Sequence, residues 1–319
     1  MAILVTGGAG YIGSHVVRLL QARAEKVVVV DDLSEGIVER IGDTPRVKID
    51  LAQSTAIREL QELIREHDVT AVIHLAARKK VGESVEKPDW YFEQNVGGLQ
   101  NLLEAMRTTG VTKLVFSSSA ATYGVPNVSH AAEDIDCKPI NPYGQTKLDG
   151  EILCREASES WGLREVSLRY FNVAGTGWPE LADTQVANLV PIIFKQLADG
   201  GSPVVFGNDW PTPDGSCVRD YVHVLDLAEA HLRALDYLDS SDREFDVFNV
   251  GTGVGSSVLD VINEVAAVTG KPIKPIIADR RPGDPAYLAA DVARIEKTLG
   301  WKAQRGLHEI IQSAWDAIS

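Results

Sequence analysis

Three side chains in the middle of the chain have the types and spacing for moving a proton. Tyr143 and Lys147 in "NPYGQTKLDGEIL" stand at i and i+4 of a segment that reads as a helix with Pro142 in its first turn, so both lie on one face. Ser119 closes the apolar run "KLVFSSS" that precedes them. A phenol with a pKa near 10 is a poor base at neutral pH, and bringing it to about 7 takes roughly 4 kcal/mol of preferential stabilisation of the phenolate. The ammonium of Lys147 is one group able to supply this, and Ser119 is placed to share the proton with Tyr143 and hold a substrate oxygen. The chemistry is proton removal from a hydroxyl group. Taken alone, the spacing also fits a half-buried tyrosine beside a snorkelling lysine, so the surrounding elements decide.

Near the start of the chain stands "VTGGAGYIGSH", with Gly7, Gly10 and Gly13 between the strand-like "AILVT" and the helix-like "SHVVRLL". Glycines in a strand-to-helix turn permit a tight bend and a close approach of backbone to a pyrophosphate at the helix N-terminus. The spacing G-x-x-G-x-x-G is shifted from the more familiar G-x-G-x-x-G. The next strand-like run, "VVVVDD", ends on Asp31 and Asp32. A carboxylate there accepts both hydroxyls of an adenosine ribose and repels a 2′-phosphate. Together these features predict a bound NAD rather than NADP. "KIDL" places Asp50 and Leu51 where an adenine edge is met. In "HLAARKK", Leu75 leads into small Ala76 and Ala77, which allow close approach over the pyrophosphate. Lys79 can meet phosphate or ribose oxygens, whereas Arg78 and Lys80 read equally well as surface charge. With a positive nicotinamide ring beside Tyr143, proton removal is coupled to hydride transfer to NAD.

Such groups need a scaffold that brings several strand ends together. Apolar runs of strand length, "AILVT", "KVVVVD", "RVKID", "AVIHLA", "KLVFSSS" and "REVSLRYFN", alternate with helix-like stretches such as "SHVVRLLQARA" and "GGLQNLLEAMRTTG". That alternation predicts an α/β fold, a doubly wound Rossmann-type parallel sheet with helices on both faces. From residue 174 the rhythm loosens into the Gly- and Pro-rich "GTGWPELADT" and "GNDWPTPDGSCVRDY", with helix-like "LVPIIFKQLADG" between them. The expected organisation is an NAD-binding domain over residues 1–173, with returning segments near 221–250 that include "VFNVG". A smaller C-terminal substrate-binding lobe is expected over 174–319.

The chain has 319 residues, 45% apolar and 24% charged, enough for one large or two moderate domains. Its 31 Lys and Arg against 45 Asp and Glu give a formal charge of −14. That balance argues against a nucleic-acid footprint or a polybasic membrane patch, so phosphate must be bound locally. Cys137, Cys154 and Cys217 are odd in number and at no metal-ligand spacing, which predicts neither a disulfide framework nor a metal site. No apolar run approaches the roughly 18 residues of a membrane span, and "MAILV" lacks a signal peptide's basic flank. A reducing cytoplasm is the expected compartment.

The stretches "TGGAGYIGSH", "VGESVEKP", "FSSSAATYG", "NPYGQTK", "LRYFNVAG", "FGNDWPTPDG" and "VRDYVHVLDLA" resemble, nearly from end to end, the UDP-glucose 4-epimerase family of extended short-chain dehydrogenases/reductases. By that resemblance Gly7, Gly10, Tyr11, Ile12, Gly13, Asp31, Asp50, Leu51, Ala76, Lys79, Asn95, Ser119, Tyr143, Lys147 and Phe171 line the NAD site, with Ser119, Tyr143 and Lys147 also catalytic. Asn172, Asn188 with Leu189 beside it, Arg219, Arg281, Asp284 and Tyr287 fall where the family holds its UDP-sugar, which Lys79, Ser119 and Tyr143 also meet. Arg219 and Arg281 carry guanidinium groups able to pair with a diphosphate; pairing to a neighbouring aspartate such as Asp220 or Asp284 is the plain alternative for each. The departures are Asp32 for the usual asparagine, "HLAARK" for the commoner "HFAGLK" and "YGQTK" for "YGKSK", and none removes a catalytic group. The resemblance also implies a homodimer formed through helices around residues 96–109 and 142–159.

The reaction implied is reversible interconversion of UDP-glucose and UDP-galactose. Tyr143 takes the proton of the sugar 4-hydroxyl as hydride leaves carbon 4 for tightly bound NAD; the 4-keto sugar turns about its anchored diphosphate, and hydride returns to its other face. Relatives that dehydrate nucleotide sugars carry an Asp-Glu pair just before the place of "TYG", where this chain has Ala120 and Ala121 and so lacks the acid and base for elimination. Epimerisation of another nucleotide sugar, an N-acetylhexosamine or a uronic acid, is one alternative. A non-catalytic NAD-binding regulator is another, against which the presence of both Tyr143 and Lys147 stands. Tyr287 lies where family members that accept N-acetylated sugars have a smaller residue, which implies preference for the unsubstituted hexoses. Its segment "RRPGDPAYLA" is one residue shorter than the commoner spacing.

Overall fold

Every residue of β1, Ala2–Thr6, and of β2, Val27–Asp31, is buried, as expected of parallel strands covered on both faces. The helix between them, α1 (Tyr11–Ala22), turns Val16, Val17 and Leu20 inward. β3 (Arg46–Lys48), α2 (Ala56–Glu66) and β4 (Val69–His74) follow. The short helices α3 (Val81–Glu86) and α4 (Pro88–Phe92) lead through a π-turn at Glu93–Gly97 into α5 (Gly98–Thr109). Next come β5 (Lys113–Ser119), β6 (His130–Ala131), α6 (Pro142–Trp161), β7 (Arg164–Tyr170), β8 (Asn172–Ala174), α7 (Leu189–Ala198) and β9 (Val204–Phe206). The chain continues through β10 (Val218–His223), α8 (Val224–Ser240), β11 (Phe245–Val250), β12 (Gly255–Ser257) and α9 (Val258–Thr269). It closes with β13 (Ile276–Ala278), β14 (Tyr287–Ala290), α10 (Ala293–Leu299) and α11 (Leu307–Asp316). This computed structural model describes every residue except Asp242 and Pro282.

The chain divides into two units whose segments alternate in sequence. The first comprises Met1–Thr122, Pro139–Arg169 and Ala228–Phe248; the second comprises Tyr123–Lys138, Tyr170–Leu227 and Asn249–Ser319. The sheet of the first unit is a doubly wound Rossmann-type α/β sheet, flanked by helices, with strands in the order β11-β7-β5-β4-β1-β2-β3 and parallel pairing from β3 through to β5. The order reverses between β1 and β4, the place where such a sheet opens a crevice at its carboxyl ends. Thr6 pairs with both Val30 and His74, so β1, β2 and β4 end level with one another. Leu4, Val28 and Val72 from the strands meet Leu60 and Leu63 of α2 and Leu99, Leu102 and Met106 of α5 in one core. In the second unit β12, β10, β14 and β6 form a sheet in that order, with β8 also on β10. Its core joins Ile193 and Phe194 of α7, Val261 and Val265 of α9, and Ile310 and Ile311 of α11.

Some boundaries differ from those expected, each because of a specific pairing. The strand read in "RVKID" stops at Lys48, exposed on the sheet edge, although the Ile49 N–H still reaches Asp31 O at 3.3 Å. "REVSLRYFN" breaks at Phe171, because Asn172–Ala174 pair with Tyr221–His223 of the second unit's β10. For the same reason the segment returning to the first unit is Ala228–Phe248, shorter than 221–250. Tyr123–Lys138 leaves the expected contiguous 1–173 domain for the second unit, where His130 and Ala131 pair with Ala289 and Ala290. Among the described residues no helix is long and apolar enough to cross a membrane.

Candidate active site

The glycine-rich turn leaves no room for side chains. Gly7 has φ of 70°, and a Cβ on it would stand 2.7 Å from Ala76 N; one on Gly13 would collide with Gly7 O and stand 2.8 Å from Gly8 Cα. The backbone after β1 thus lies directly against the backbone after β4, where Leu75 N–H donates to Thr6 O at 3.0 Å. Gly10 begins α1 without a side-chain cap, which leaves the helix's amino end as a donor set of the kind a pyrophosphate satisfies. Tyr11 is buried edge-on to His15, while Ile12, Ala76, Ala77 and Lys79 are half-buried.

Asp31 is 8% exposed. Its Oδ2 accepts the Ala9 N–H at 3.1 Å and its Oδ1 the Leu33 N–H at 2.9 Å. Burial pushes its carboxyl above the usual range, with those two N–H groups opposing. Each oxygen retains a second lone pair, so the carboxylate still has capacity for a diol. Asp32 moves the other way: its burial is outweighed by hydrogen bonds from Ser34 N (2.9 Å) and Ser34 Oγ (2.6 Å) and by the Arg78 guanidinium. Asp50 closes its own turn, accepting from Ala52 N at 3.0 Å and Gln53 Nε2 at 3.1 Å, and Leu51 belongs to the core. Asn95 accepts the Arg78 N–H at 2.7 Å and donates to Arg78 O and Thr146 Oγ1, each at 3.0 Å. It thereby ties the end of β4 to α6.

The three residues read from sequence as proton-transfer candidates gather where β5 ends and α6 begins. Asn141 caps α6 by accepting the Gly144 N–H at 2.8 Å, and Pro142 occupies its first turn. A Cβ on Gly144 would stand 2.6 Å from Ala121 O, so glycine lets this turn press against the one after β5. Tyr143 is buried and hydrogen-bonds Ser119, whose Oγ also accepts the Ala121 N–H at 3.1 Å. Lys147 is 3% exposed, donates from Nζ to Ser117 O at 2.7 Å and lies 5.1 Å from the centre of the Phe116 ring. Burial pulls its ammonium down to about 8, with Glu151 opposing. Burial pushes the Tyr143 phenol up, and the Ser119 hydrogen bond opposes that. Beneath them Glu151 accepts from Ser118 Oγ at 2.5 Å and from Arg169 at 2.9 and 2.6 Å, a buried fork.

In the second unit, Arg219 donates from Nη1 to Val218 O at 2.8 Å and Pro285 O at 2.7 Å, and its Nη2 lies 3.5 Å from Asp284. Arg281 also holds Asp284, at 3.0 Å, and lies 4.7 Å from the centre of the Phe206 ring. Both arginines thus share Asp284, which leaves one positive charge in excess. Asp220 takes no part: it accepts from Thr252, Gly253 and Ala290 instead. Tyr287 opens β14 opposite Val218, with its ring 5.7 Å from that of His130. Asn172 is exposed on β8 and hydrogen-bonds Tyr221. Asn188 caps no helix donor and bonds Asp183 at 3.2 Å; Leu189 packs on the second core, and Phe171 is buried with its N–H on Val250 O at 3.1 Å.

Sequence reasoning passed over His74 and Thr6, and it allowed Arg78 to be surface charge, whereas its side chain is only 18% exposed and engaged. Thr6 Oγ1 bonds His74 Nδ1 at 2.7 Å, and the imidazole stacks on Phe116. Burial, with Lys147 nearby, holds His74 down at about 3, so it stays neutral. Arg78 is a hub joining Asp32, Ser34 and Gln94; its one signal was its place at the end of β4.

Residues 3–251 match the NAD dependent epimerase/dehydratase family. The chain is similar to a UDP-glucose 4-epimerase of Streptococcus mutans, 45% identical over 99% of this chain and 96% of that one. Among solved structures it resembles a UDP-glucose 4-epimerase from Brucella ovis in complex with NAD, with a TM-score of 0.93 and 39% identity over 98% of this chain and 97% of that one. A UDP-glucose-4-epimerase from Stenotrophomonas maltophila with bound NAD and formylated UDP-arabinopyranose gives 0.93 and 40% over 99% and 97%.

Proposed function

The chain belongs to the NAD dependent epimerase/dehydratase family, and from that premise we propose that it interconverts UDP-glucose and UDP-galactose by transient oxidation at carbon 4 of the hexose. The observation that carries this reading is the buried set of Ser119, Tyr143 and Lys147 at the carboxyl edge of a dinucleotide-type sheet. The turn at Gly7 and Gly13, where any Cβ would collide with backbone, and the carboxylate of Asp31 fit NAD. The chemistry asked of bound NAD is to take a hydride from carbon 4 and give it back.

Tyr143 accepts the proton of the 4-hydroxyl and returns it, and Ser119 holds the same oxygen. Lys147, charged below about pH 8, favours the phenolate. Arg219 and Arg281 exchange Asp284 for the substrate's diphosphate, with Asn172 and Asn188 as further polar contacts and Tyr287 beside the hexose. Ala120 and Ala121 in the turn after β5 offer no acid or base for elimination, which favours epimerisation over dehydration. The chain works as a homodimer joined through α5 and α6; Ile152, exposed on α6, supports that assignment, and sedimentation of the purified protein checks it. Incubation with UDP-galactose and no added reductant tests the reaction: UDP-glucose must appear, and its absence refutes the proposal.

A further inference from the structure

Arg78 sits where several segments of the first unit converge. Its Nη2 donates to the Asp32 carboxylate and, at 2.7 Å, to Gln94 Oε1; Nε reaches the same Gln94 oxygen at 3.0 Å, and Nη1 donates to Ser34 Oγ. The guanidinium carbon is 5.1 Å from the centre of the Trp90 ring, and the Arg78 backbone is clamped on both its N–H and its carbonyl by Asn95. The side chains of Arg78 and Asp32 are only 18% and 24% exposed. A planar donor fork so fully engaged has little freedom to turn toward anything else. At the end of β2 the charges of Asp31, Asp32 and Arg78 sum to −1, and the adjacent Lys80–Glu35 pair, at 2.5 Å, adds nothing to that sum.

An arginine near the ribose end of a dinucleotide site is the usual means of accommodating a 2′-phosphate, and a carboxylate the usual means of rejecting it. This chain carries both. We infer that Asp32 and Arg78 act as one charge-compensated pair that sets cofactor choice. Asp32 holds the guanidinium away from a 2′-phosphate, and Arg78 cancels the second carboxylate so that the plain ribose diol is still accepted. The commoner asparagine and "HFAGLK" pattern reaches the same sum of charge without the pair. The inference rests on NAD binding with its adenosine ribose at Asp31.

The test strips the purified protein of the nucleotide it carries, incubates it with equal concentrations of NAD and NADP, removes unbound nucleotide, and separates the cofactors released on denaturation. Wild type should release NAD almost alone. Asp32→Asn brings the trio to neutrality and should raise the NADP share about tenfold, whereas Arg78→Leu should lower that share below wild type. The double variant Asp32→Asn/Arg78→Leu should return to the wild-type share. An unchanged share in Asp32→Asn, or a double variant that keeps the full NADP gain, would overturn the inference. Because a misfolded variant binds neither nucleotide, Asp32→Ser, with the same expected gain, stands in if Asp32→Asn releases none. Wild type that releases neither nucleotide would refute the NAD-dependent reading itself, which separates that failure from the failure of the pair.

Discussion

In the first unit the candidate proton-transfer side chains sit on regular elements and are held by buried partners, whereas in the second the charged candidates stand at strand ends and loops and hold one another. Lys147 is locked to the carbonyl of Ser117 and Tyr143 to Ser119. Arg219 and Arg281 share Asp284, and the Arg281 side chain is 62% exposed. The Arg281–Asp284 pair, exposed on its arginine side, is worth little, so trading its carboxylate for a ligand's phosphate costs little, while Arg219, 16% exposed, stays anchored on the Val218 and Pro285 carbonyls. Substitutions in the first unit should then act on turnover and those in the second on substrate affinity.

The comparison breaks most visibly at Tyr143. Tyr143→Phe removes one hydroxyl and should lower kcat by at least about 10² to 10⁴, the scale of a positioned acid-base group, while cofactor content after purification stays that of wild type. Wild-type turnover in this variant would mean that the first unit is only scaffold. Beneath it, Arg169→Met strands the carboxylate of Glu151 in a site where the two side chains are 6% and 3% exposed. Breaking a buried pair of this kind costs about 3–5 kcal/mol, to be read from urea unfolding. A loss within about 0.5 kcal/mol, the range of an ordinary surface substitution, would show the fork to be dispensable.

In the second unit, Arg219→Ala should raise KM for UDP-galactose roughly tenfold to a hundredfold, as expected when charged hydrogen bonds are lost, and leave kcat within a small factor. A fall in kcat with KM unchanged would contradict the division between the units. The pH profile sharpens the same contrast. The folded-state pKa of Lys147 is depressed to about 8, so its ammonium is present below that pH and lost as pH rises through it. kcat should therefore fall on an alkaline limb near 8, and steady-state rates from pH 6 to 10 would reveal a flat profile if Lys147 has no electrostatic role.

The frame of the first unit was legible because burial on both faces writes continuous apolar runs such as "VVVV", and because a strand, a glycine turn and a helix in succession have few other uses. The spacing of Tyr143 and Lys147 was legible for a similar reason, since a helix fixes which residues share a face. What stayed hidden depends on contacts between residues far apart in sequence. Nothing local told that Asn95 would spend its hydrogen bonds on Arg78 and Thr146, or that Arg78 would reach Asp32. The alternation of the units was equally silent, because β6 has only His130 and Ala131 to announce a pairing with β14.

The smallest expected effect concerns which sugar the second unit admits. Tyr287 pairs in register with Val218, one residue before Arg219, the residue proposed to anchor the diphosphate. Its ring also meets that of His130 at 5.7 Å, which limits how far it can swing to make room. An acetamido group on carbon 2 needs volume that the phenol fills, and added bulk in a packed site costs roughly 1–3 kcal/mol. Wild type should therefore prefer UDP-galactose to UDP-N-acetylgalactosamine in kcat/KM by about tenfold or more. Tyr287→Cys should narrow that gap chiefly by admitting the larger sugar, because a smaller side chain opens space without touching Arg219. Measuring kcat/KM for both substrates in both proteins decides the point: equal use of the two by wild type would show that Tyr287 does not gate the site, and a Tyr287→Cys variant that merely lost activity toward UDP-galactose would show that the phenol supports the hexose rather than excluding the acetamide.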